Sequence, residues 1–550
     1  MSFGRVRPAV PCEGQGGAAG GLLEKPTAGG KVANSDVAKA GGRGGSRGLI
    51  LTAMIFAVAM TFIDQTIVSI AVPEIQRELS LSSTGIQWTV NAYLLTLASL
   101  FAFGGRLADT AGHRRMVVIG VVVFAAASAL CGLTPTGDLA QAWIITFRAL
   151  QGVGGALMFP AALAIVVQTF PLHERGRALA AFFGVAGGLT AIGPILGGYL
   201  TQWTWRAIFW VNIPVAIIAL VLIAVSKPAT EFRPARLDFR GLVLIAGGVG
   251  LSVFGFQQAG AWGWGSPGVW FPVAAGIILL VAFALVELRT AEPLVQVRIF
   301  TVRPFLVENI VLALCMVAFI PIFFFASEYA QLSLGKNANQ ASLLLLYFFA
   351  GFVVAAQLGG RLLDKLGAKL PVVAGSALAA AGFFVWANKV TGLQLSSQIW
   401  VIVMTGAGMG LMLGQANTDA VNRASRLSYG EATGVTQTVR NYAASLGLAV
   451  LGTTLVNSMH KHVVASLEAR GASPAQADQA ASQVAQGRDS ISGGGAIPLF
   501  IRLDFAEATR SVLTIMGAVM AAAAIVALVG LKRGVQTELV GDAAVPMQEG

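Results

Sequence analysis

The chain has 550 residues, of which 55% are hydrophobic and only 11% charged, with a net charge of +11. A soluble domain carries about 25% charged residues, so this composition excludes a water-soluble globular protein and describes an integral membrane protein. The positive charge does not describe a nucleic-acid binder, because Lys and Arg are spread over short loops between apolar runs and form no basic domain.

Residues 1–48 are Gly-rich, with seven Lys/Arg against three acidic residues, and read as a disordered tail. The apolar run that follows, 49–71, is too long for a signal peptide and lacks a small-residue cleavage signature, so it is expected to stay as a first span. Further apolar runs follow at about 87–108, 116–133, 142–169, 177–200, 207–226, 240–259, 270–288, 305–328, 341–360, 371–388, 399–418, 432–456 and 511–531, giving fourteen spans. Each is continuous over about twenty residues, whereas barrel strands alternate over about ten, so the spans are helices. Short loops on the side of the N-terminus hold seventeen Lys/Arg, among them Arg175, Arg177, Arg233, Arg236 and Lys365. Those on the other side hold four: Arg77, Arg206, Lys336 and Lys389. That bias predicts a multi-pass protein of the cytoplasmic membrane with both termini inside. The one long loop, about 457–510, then lies outside, with a helical tendency near "SPAQADQAASQVAQ". The three cysteines, Cys12, Cys131 and Cys315, have neither disulfide nor metal-ligand spacing, and no metal site is expected.

"GGRLADTAGHRR" (104–115) returns as "GGRLLDKLGAK" (359–369). Gly105, Arg106, Leu107, Asp109 and Gly112 match Gly360, Arg361, Leu362, Asp364 and Gly367, 255 residues apart (360 − 105). Each copy follows the second span of a six-span unit once spans seven and eight are set aside as an insert. A repeated six-span half marks secondary transporters. The expected organisation is therefore all-α and polytopic: a six-helix half over 49–226, two inserted helices over 227–290, a second six-helix half over 291–531 and a cytoplasmic tail over 532–550. Small residues let helix ends approach closely. Asp109, with Arg114 and Arg115 after it, is expected to pair across the loop and latch the halves.

These motifs resemble those of the major facilitator superfamily. "GRLADTAGHRR" looks like its loop motif, although Thr110 stands where the family usually carries a basic residue. "RALQGVGGALMFP" (148–160) resembles its fourth-span motif, and "GVAGGLTAIGPILGG" (184–198) the fifth-span motif of its antiporters. "IDQTIVSIAVP" (63–73), "WTVNAYLL" (88–95) and "WTWRAIFWVNIP" (203–214) resemble the fourteen-span drug:proton antiporter family. The resemblance runs over about 49–456. It implies two six-helix halves with two extra central helices, alternating access, a proton gradient as energy source with no bound cofactor, a small amphipathic substrate and a monomer. It also implies export, through the fifth-span residues Gly184, Gly188, Gly193, Pro194, Gly197 and Gly198, although tight helix packing accounts for those glycines equally well.

Asp64 sits inside an otherwise apolar span, where a charge costs about 2.5–3.5 kcal/mol on the gentlest scale. Thr61, Gln65 and Ser69 lie at i, i+4 and i+8 beside it, a polar stripe that should line a cavity or the bundle interior. Arg148 in span 4 lies at a similar depth, both about 10 Å from the outer boundary at 1.5 Å per residue. Burial favours a neutral carboxyl and a nearby arginine favours a charged one. Such a group can load a proton on one side and release it on the other. Asp64 is thus the candidate proton carrier and Arg148 the group that tunes it; a fixed structural ion pair is the other reading. Gln65 on that stripe, Asn91 and Tyr93 in span 2 and Glu308 in span 9 are candidate substrate contacts. Arg440, well inside span 13, calls for an anion, a carbonyl or water.

"GAGMGLMLG" (406–414) lacks the glycine spacing and the preceding strand of a dinucleotide site, and no P-loop of the form GxxxxGK[ST] occurs. "HKH" (460–462) lies in the predicted outer loop. The function expected is proton-coupled export of amphipathic drugs or secondary metabolites. A narrow exporter of a siderophore, amino acid or lipid-like metabolite, and a non-transporting membrane sensor, are the alternatives.

Overall fold

The computed structural model describes residues 44–228, 238–422, 429–485, 497–532 and 534; most of the two predicted tails lies outside them. The chain forms α1 (Gly44–Leu79), α2 (Ser83–Ala111), α3 (His113–Gly132), α4 (Ala140–Thr169), α5 (Leu172–Thr201), the short α6 (Ala207–Trp210) and α7 (Asn212–Ser226). Next come α8 (Phe239–Trp262) and α9 (Pro267–Glu287). The second half follows as α10 (Arg303–Leu332), α11 (Ala338–Leu366), α12 (Lys369–Lys389), α13 (Leu395–Asn422), α14 (Tyr429–Glu468), α15 (Pro474–Ala485) and α16 (Leu499–Gly530). Among the described residues, thirteen helical segments are long and apolar enough to cross a membrane. Helix α5, 30 residues long, stands in the place of the fifth predicted span. The result is an all-α membrane protein of two six-helix halves with an inserted helix pair between them.

Local chemistry sets the helix ends. Ser82 and Asp238 cap α2 and α8 by accepting from the Gly85 and Gly241 amides, and Asn337 with Gln340 makes a capping box at α11. The repeated loop ends α2 and α11 on Gly112 and Gly367, whose φ of 94° and 81° lies where a side chain is strained. That is the physical reason for one of the five matches between the copies.

The repeat extends far beyond that loop. A Cβ on Gly193 of α5 would lie 3.0 Å from the Ile63 carbonyl oxygen of α1, and one on Gly447 of α14 would overlap the Val317 carbonyl oxygen of α10. Both members of that contact are 254 residues apart (447 − 193; 317 − 63). Likewise Gly154 of α4 presses on the Gly120 carbonyl of α3, as Gly408 of α13 presses on that of Gly375 in α12. "GAGMGLMLG" is thus the second-half counterpart of "GVGGALMFP" (152–160). Its glycines bring helix backbones together.

The inserted pair docks through polar groups. Gln257 of α8 accepts from Asn91 Nδ2 at 2.9 Å and donates to Gln87 at 3.0 Å, both on α2. Ser252 of α8 meets the Tyr442 hydroxyl of α14 at 3.0 Å. Helix α8 therefore lies over the seam between the halves, while Phe271, Ile278 and Leu285 of α9 are exposed, as a lipid-facing helix requires. Trp264 and Trp270 cluster at the turn between them, 6.1 Å centroid to centroid, in the place read from sequence as an aromatic belt.

In the predicted loop 457–510, α15 spans Pro474–Ala485 on the stretch read as helical, whereas α14 runs on to Glu468 and α16 already begins at Leu499. Hydropathy marks the hydrocarbon-spanning part of a helix, not its end. At 1.5 Å per residue the 40-residue α14 is about 60 Å long, twice the hydrocarbon thickness. His460 of "HKH" contacts Ser482 at 3.2 Å and Asp478 at 3.3 Å, holding α15 against α14.

The glycine contacts predict a graded response. Gly447→Ala and Gly408→Ala must push helices apart and should lose about 1–3 kcal/mol each. Gly434→Ala, which meets nothing within 4 Å, should be neutral or slightly stabilising. Unfolding of the detergent-solubilised variants checks the order, and equal losses at all three positions would contradict the packing described.

Candidate functional site

Helices α1, α2 and α4 converge on one buried ion pair. Arg148 Nη1 of α4 donates to Asp64 Oδ2 of α1 at 2.5 Å, and neither side chain is more than 1% exposed. The pairing that matched depth suggested is a direct contact. Arg148 Nε also donates to the Thr89 carbonyl of α2 at 2.9 Å, and Nη1 to Gln151 Oε1 at 2.9 Å. Gln151 Nε2 reaches the second carboxylate oxygen, Asp64 Oδ1, at 3.4 Å. The guanidinium lies over the Tyr93 ring at 4.6 Å, and the Tyr93 hydroxyl donates to the Thr61 carbonyl at 3.3 Å. The carboxylate and guanidinium thus share Gln151, and with the Thr89 carbonyl the network draws on three helices, the condition under which a buried pair is held in one geometry.

Gln151, Thr89 and Tyr93 had no part in the pair as read from sequence. Gln151 lies three residues after Arg148, on the same helical face, so that spacing was a usable signal. Thr89 contributes a main-chain carbonyl, which no sequence pattern marks. The pair also breaks the repeat: 254 residues on, Ala318 stands at the place of Asp64 and Ile402 at that of Arg148.

Beside the pair lies a cavity between the halves. Thr61 and Gln65, on either side of Asp64 in α1, line it together with residues of α2, α4 and α5 from the first half and of α10, α11, α13 and α14 from the second. Its volume is about 90 Å³, below the 300–1,000 Å³ of small-molecule sites, so admitting a substrate requires the walls to separate. Of the four candidate substrate contacts only Gln65 lines it. Asn91 is engaged by Gln257 and Ser445, and Tyr93 by Thr61 and Arg148. Glu308 is buried on α10 away from the lining. Ser69, the third member of the polar stripe, is buried rather than facing the cavity.

Of the fifth-span glycines, Gly193, Gly197 and Gly198 are packing positions. Gly193 and Gly197 seat α5 on α1 at Thr66 and Ile67, and a Cβ on Gly198 would lie 2.6 Å from Ser342 Oγ of α11, across the halves. Pro194 is buried in α5, and Gly184 and Gly188 lie on the same helix. The latch differs from the expected one. Asp109 contacts His113 Nε2 at 3.0 Å within its own loop, and it is Arg106 that reaches out, to Glu292 at 3.1 Å in the chain leading to the second half. His113 opens α3 one turn from Asp109, closer than Arg114 or Arg115. In the second copy Arg361 and Asp364 are exposed. The glycines pressed against a neighbour are Gly104 and Gly359, against Ala156 of α4 and Leu411 of α13, while Gly105 and Gly360 have room.

A sequence model described as the Major Facilitator Superfamily matches residues 54–448. The chain is 33% identical over 497 residues to the tetracenomycin C resistance and export protein of Streptomyces glaucescens, covering 87% of this chain and 90% of that protein. It is 32% identical to the cephamycin export protein CmcT of Amycolatopsis lactamdurans, over 74% of this chain and 86% of that one. Its fold resembles the crystal structure of a bacterial homologue of the human lysosomal transporter Spinster in an inward-facing, unoccupied conformation. That match has a TM-score of 0.58 at 16% identity and covers 89% of this chain and 98% of the other.

Removing one partner of the buried pair leaves the other charge uncompensated. Arg148→Ala should therefore cost about 3–5 kcal/mol, and the double variant Asp64→Asn/Arg148→Gln should be more stable than Arg148→Ala. Thermal unfolding in one detergent decides it; a double variant less stable than Arg148→Ala would show that the pair's charges are not what the neighbouring groups respond to.

Proposed function

The chain belongs to the Major Facilitator Superfamily, a family of membrane transporters rather than enzymes, and on that premise we propose that it exports small amphipathic drugs or secondary metabolites in exchange for protons. It works as a monomer by alternating access across the cytoplasmic membrane, with both termini inside. The energy comes from the proton gradient and no cofactor takes part. Relatives named for tetracenomycin C resistance and export and for cephamycin export support the direction of transport.

The observation that carries the coupling is the Asp64–Arg148 pair set against the cavity wall. A proton arriving at Asp64 cancels the carboxylate charge and weakens its bond to Arg148. The guanidinium keeps the Thr89 carbonyl, Gln151 and the Tyr93 face as alternative partners. Helix α1 is then less tightly held to α4, and α1 is the helix that presents Thr61 and Gln65 to the substrate. Loss of the proton restores the bond. One carboxylate thus links protonation to the position of a cavity wall. The cavity's small volume fits a closed stage of the cycle. At the ends of α1 and α5 remote from the N-terminus the halves touch, through Gln331 Nε2 donating to the Ile70 carbonyl at 3.0 Å and through Gly198 against Ser342.

The test uses everted vesicles under an inside-acid gradient and a panel of a lipophilic cation, a neutral aromatic and an aromatic carboxylate. Native protein should accumulate at least one of them, and a protonophore should abolish the signal. Asp64→Asn should lose uphill accumulation at least tenfold while keeping downhill counterflow of the same compound. Full uphill transport by Asp64→Asn would remove Asp64 from the coupling step. A native chain that moves nothing in an intact gradient would leave a membrane sensor as the reading.

A further inference from the structure

The geometry points to an anionic aromatic molecule, a carboxylate or phenolate on a flat ring system, as the substrate class of the central cavity, with Arg440 as its anchor; this rests on the exporter reading above. Arg440 of α14 is the charged residue among the described residues that line the cavity. It makes no ion pair with a described residue, and its Nε has no hydrogen-bond partner. The carboxylate behind Thr61 and Gln65 on α1, Asp64, does not line the cavity and is taken by Arg148 at 2.5 Å. The repeat gives Arg440 no counterpart, since 254 residues earlier α5 carries Ala186. Packing alone therefore does not call for a cation here. Arg440 is half-buried in an otherwise uncharged cavity wall, with no counterion among the described residues, which is unfavourable for a guanidinium, and an entering anion supplies a partner. Its planar fork suits a carboxylate bidentately and also stacks on aromatic rings.

The rest of the wall fits the same ligand. Phe62, Phe101 and Phe159 line the first-half side, and Phe319, Phe349 and Phe352 the second. The rings are already in contact within each wall, Phe101–Phe159 at 5.3 Å and Phe319–Phe352 at 5.5 Å. Two aromatic walls on opposite helix bundles accept a flat ring system between them when they separate. Gln65, Gln437 and Asn441 add neutral polar groups, which orient a substrate without opposing its charge. A lipophilic cation in the same place would meet the aromatic faces favourably but the Arg440 charge unfavourably, with no cavity-lining carboxylate among the described residues to offset it.

Binding of three probes that share one skeleton tests this: anthracene-9-carboxylate, 9-anthracenemethanol and 9-(aminomethyl)anthracene, titrated against the full-length protein in nanodiscs, with empty nanodiscs subtracted. The carboxylate should bind native protein at least tenfold more tightly than the amine. Arg440→Gln should weaken carboxylate binding at least tenfold and leave the alcohol within twofold, which also shows that the variant is folded. Arg440→Lys should recover part of the carboxylate affinity. The native ranking alone is decisive if Arg440→Gln does not fold: amine binding as tight as carboxylate binding, or no preference among the three, overturns the proposal. So does an unchanged carboxylate preference in Arg440→Gln. The outcomes separate this claim from the exporter reading. Carboxylate binding without vesicle transport removes export and keeps the anion site, whereas gradient-driven export of the cation alone keeps export and removes the anion site.

Discussion

Burying Asp64 and Arg148 together is the constraint around which the first half is arranged. Neither charge is tolerable in a hydrocarbon-like interior without the other. The pair is useful only if α1, α2 and α4 are held close enough to share it. Glycine supplies that closeness. A Cβ at Gly152 of α4 would lie 2.8 Å from the Tyr93 carbonyl oxygen of α2, one turn along from the Thr89 carbonyl that Arg148 grips. Gly193 and Gly197 press α5 onto α1 at residues flanking Asp64. The glycine motifs and the ion pair are parts of one device: small residues bring backbones together, and the charges use the resulting proximity.

The two halves repeat one packing scheme and depart from it where charge enters the cavity region. Helix contacts recur at an offset of 254 or 255 residues, down to which glycine touches which carbonyl. Against that background Asp64 and Arg148 belong to the first half alone and Arg440 to the second. The cavity lies between an uncharged first-half wall backed by the Asp64–Arg148 pair and a second-half wall that carries Arg440, which has no ion-pair partner among the described residues. A duplicated fold supplies the scaffold, and the exceptions to the duplication are where charge is placed in or behind the cavity. In the exporter proposed here, the carboxylate that takes the proton lies in the first half and the cation that anchors the cargo lies in the second, while both halves wall the cavity.

The inserted pair α8–α9 is tied to this scaffold by amide and hydroxyl groups, not by apolar packing alone. Within a bilayer such bonds are directional and register-specific, though each is worth only about 1 kcal/mol. Gln257 joins Asn91 and Gln87 on α2, and Ser252 joins Tyr442 on α14. Helices α2 and α14 belong to different halves, so the insert spans the seam between them. Asn91, attractive from sequence as a substrate contact, is instead committed to this docking.

Much was legible in the residues themselves. Hydrocarbon thickness and backbone hydrogen bonding leave a chain this apolar little choice but helices about twenty residues long, so the spans could be counted from composition. The internal repeat showed in its loop, because Gly112 and Gly367 end their helices at a positive φ that favours glycine and chance seldom preserves such spacing. Asp64 and Arg148 stood out because charges are expensive at that depth, and their matched positions along antiparallel helices made contact reasonable. What the linear pattern did not contain was everything set by rotation of helices about their axes and by main-chain groups. Only the packed bundle decides that Thr89 lends its carbonyl to Arg148, that Asp109 turns to His113 while Arg106 reaches Glu292, and that Gln65 faces the cavity when Ser69 does not. The same holds for the extension of α14 to Glu468 and the start of α16 at Leu499, since water satisfies a polar helix as well as a polar loop, whereas α15 falls on the stretch read as helical. Hydropathy records how deep a residue lies; which neighbour it meets there is a property of the tertiary fold.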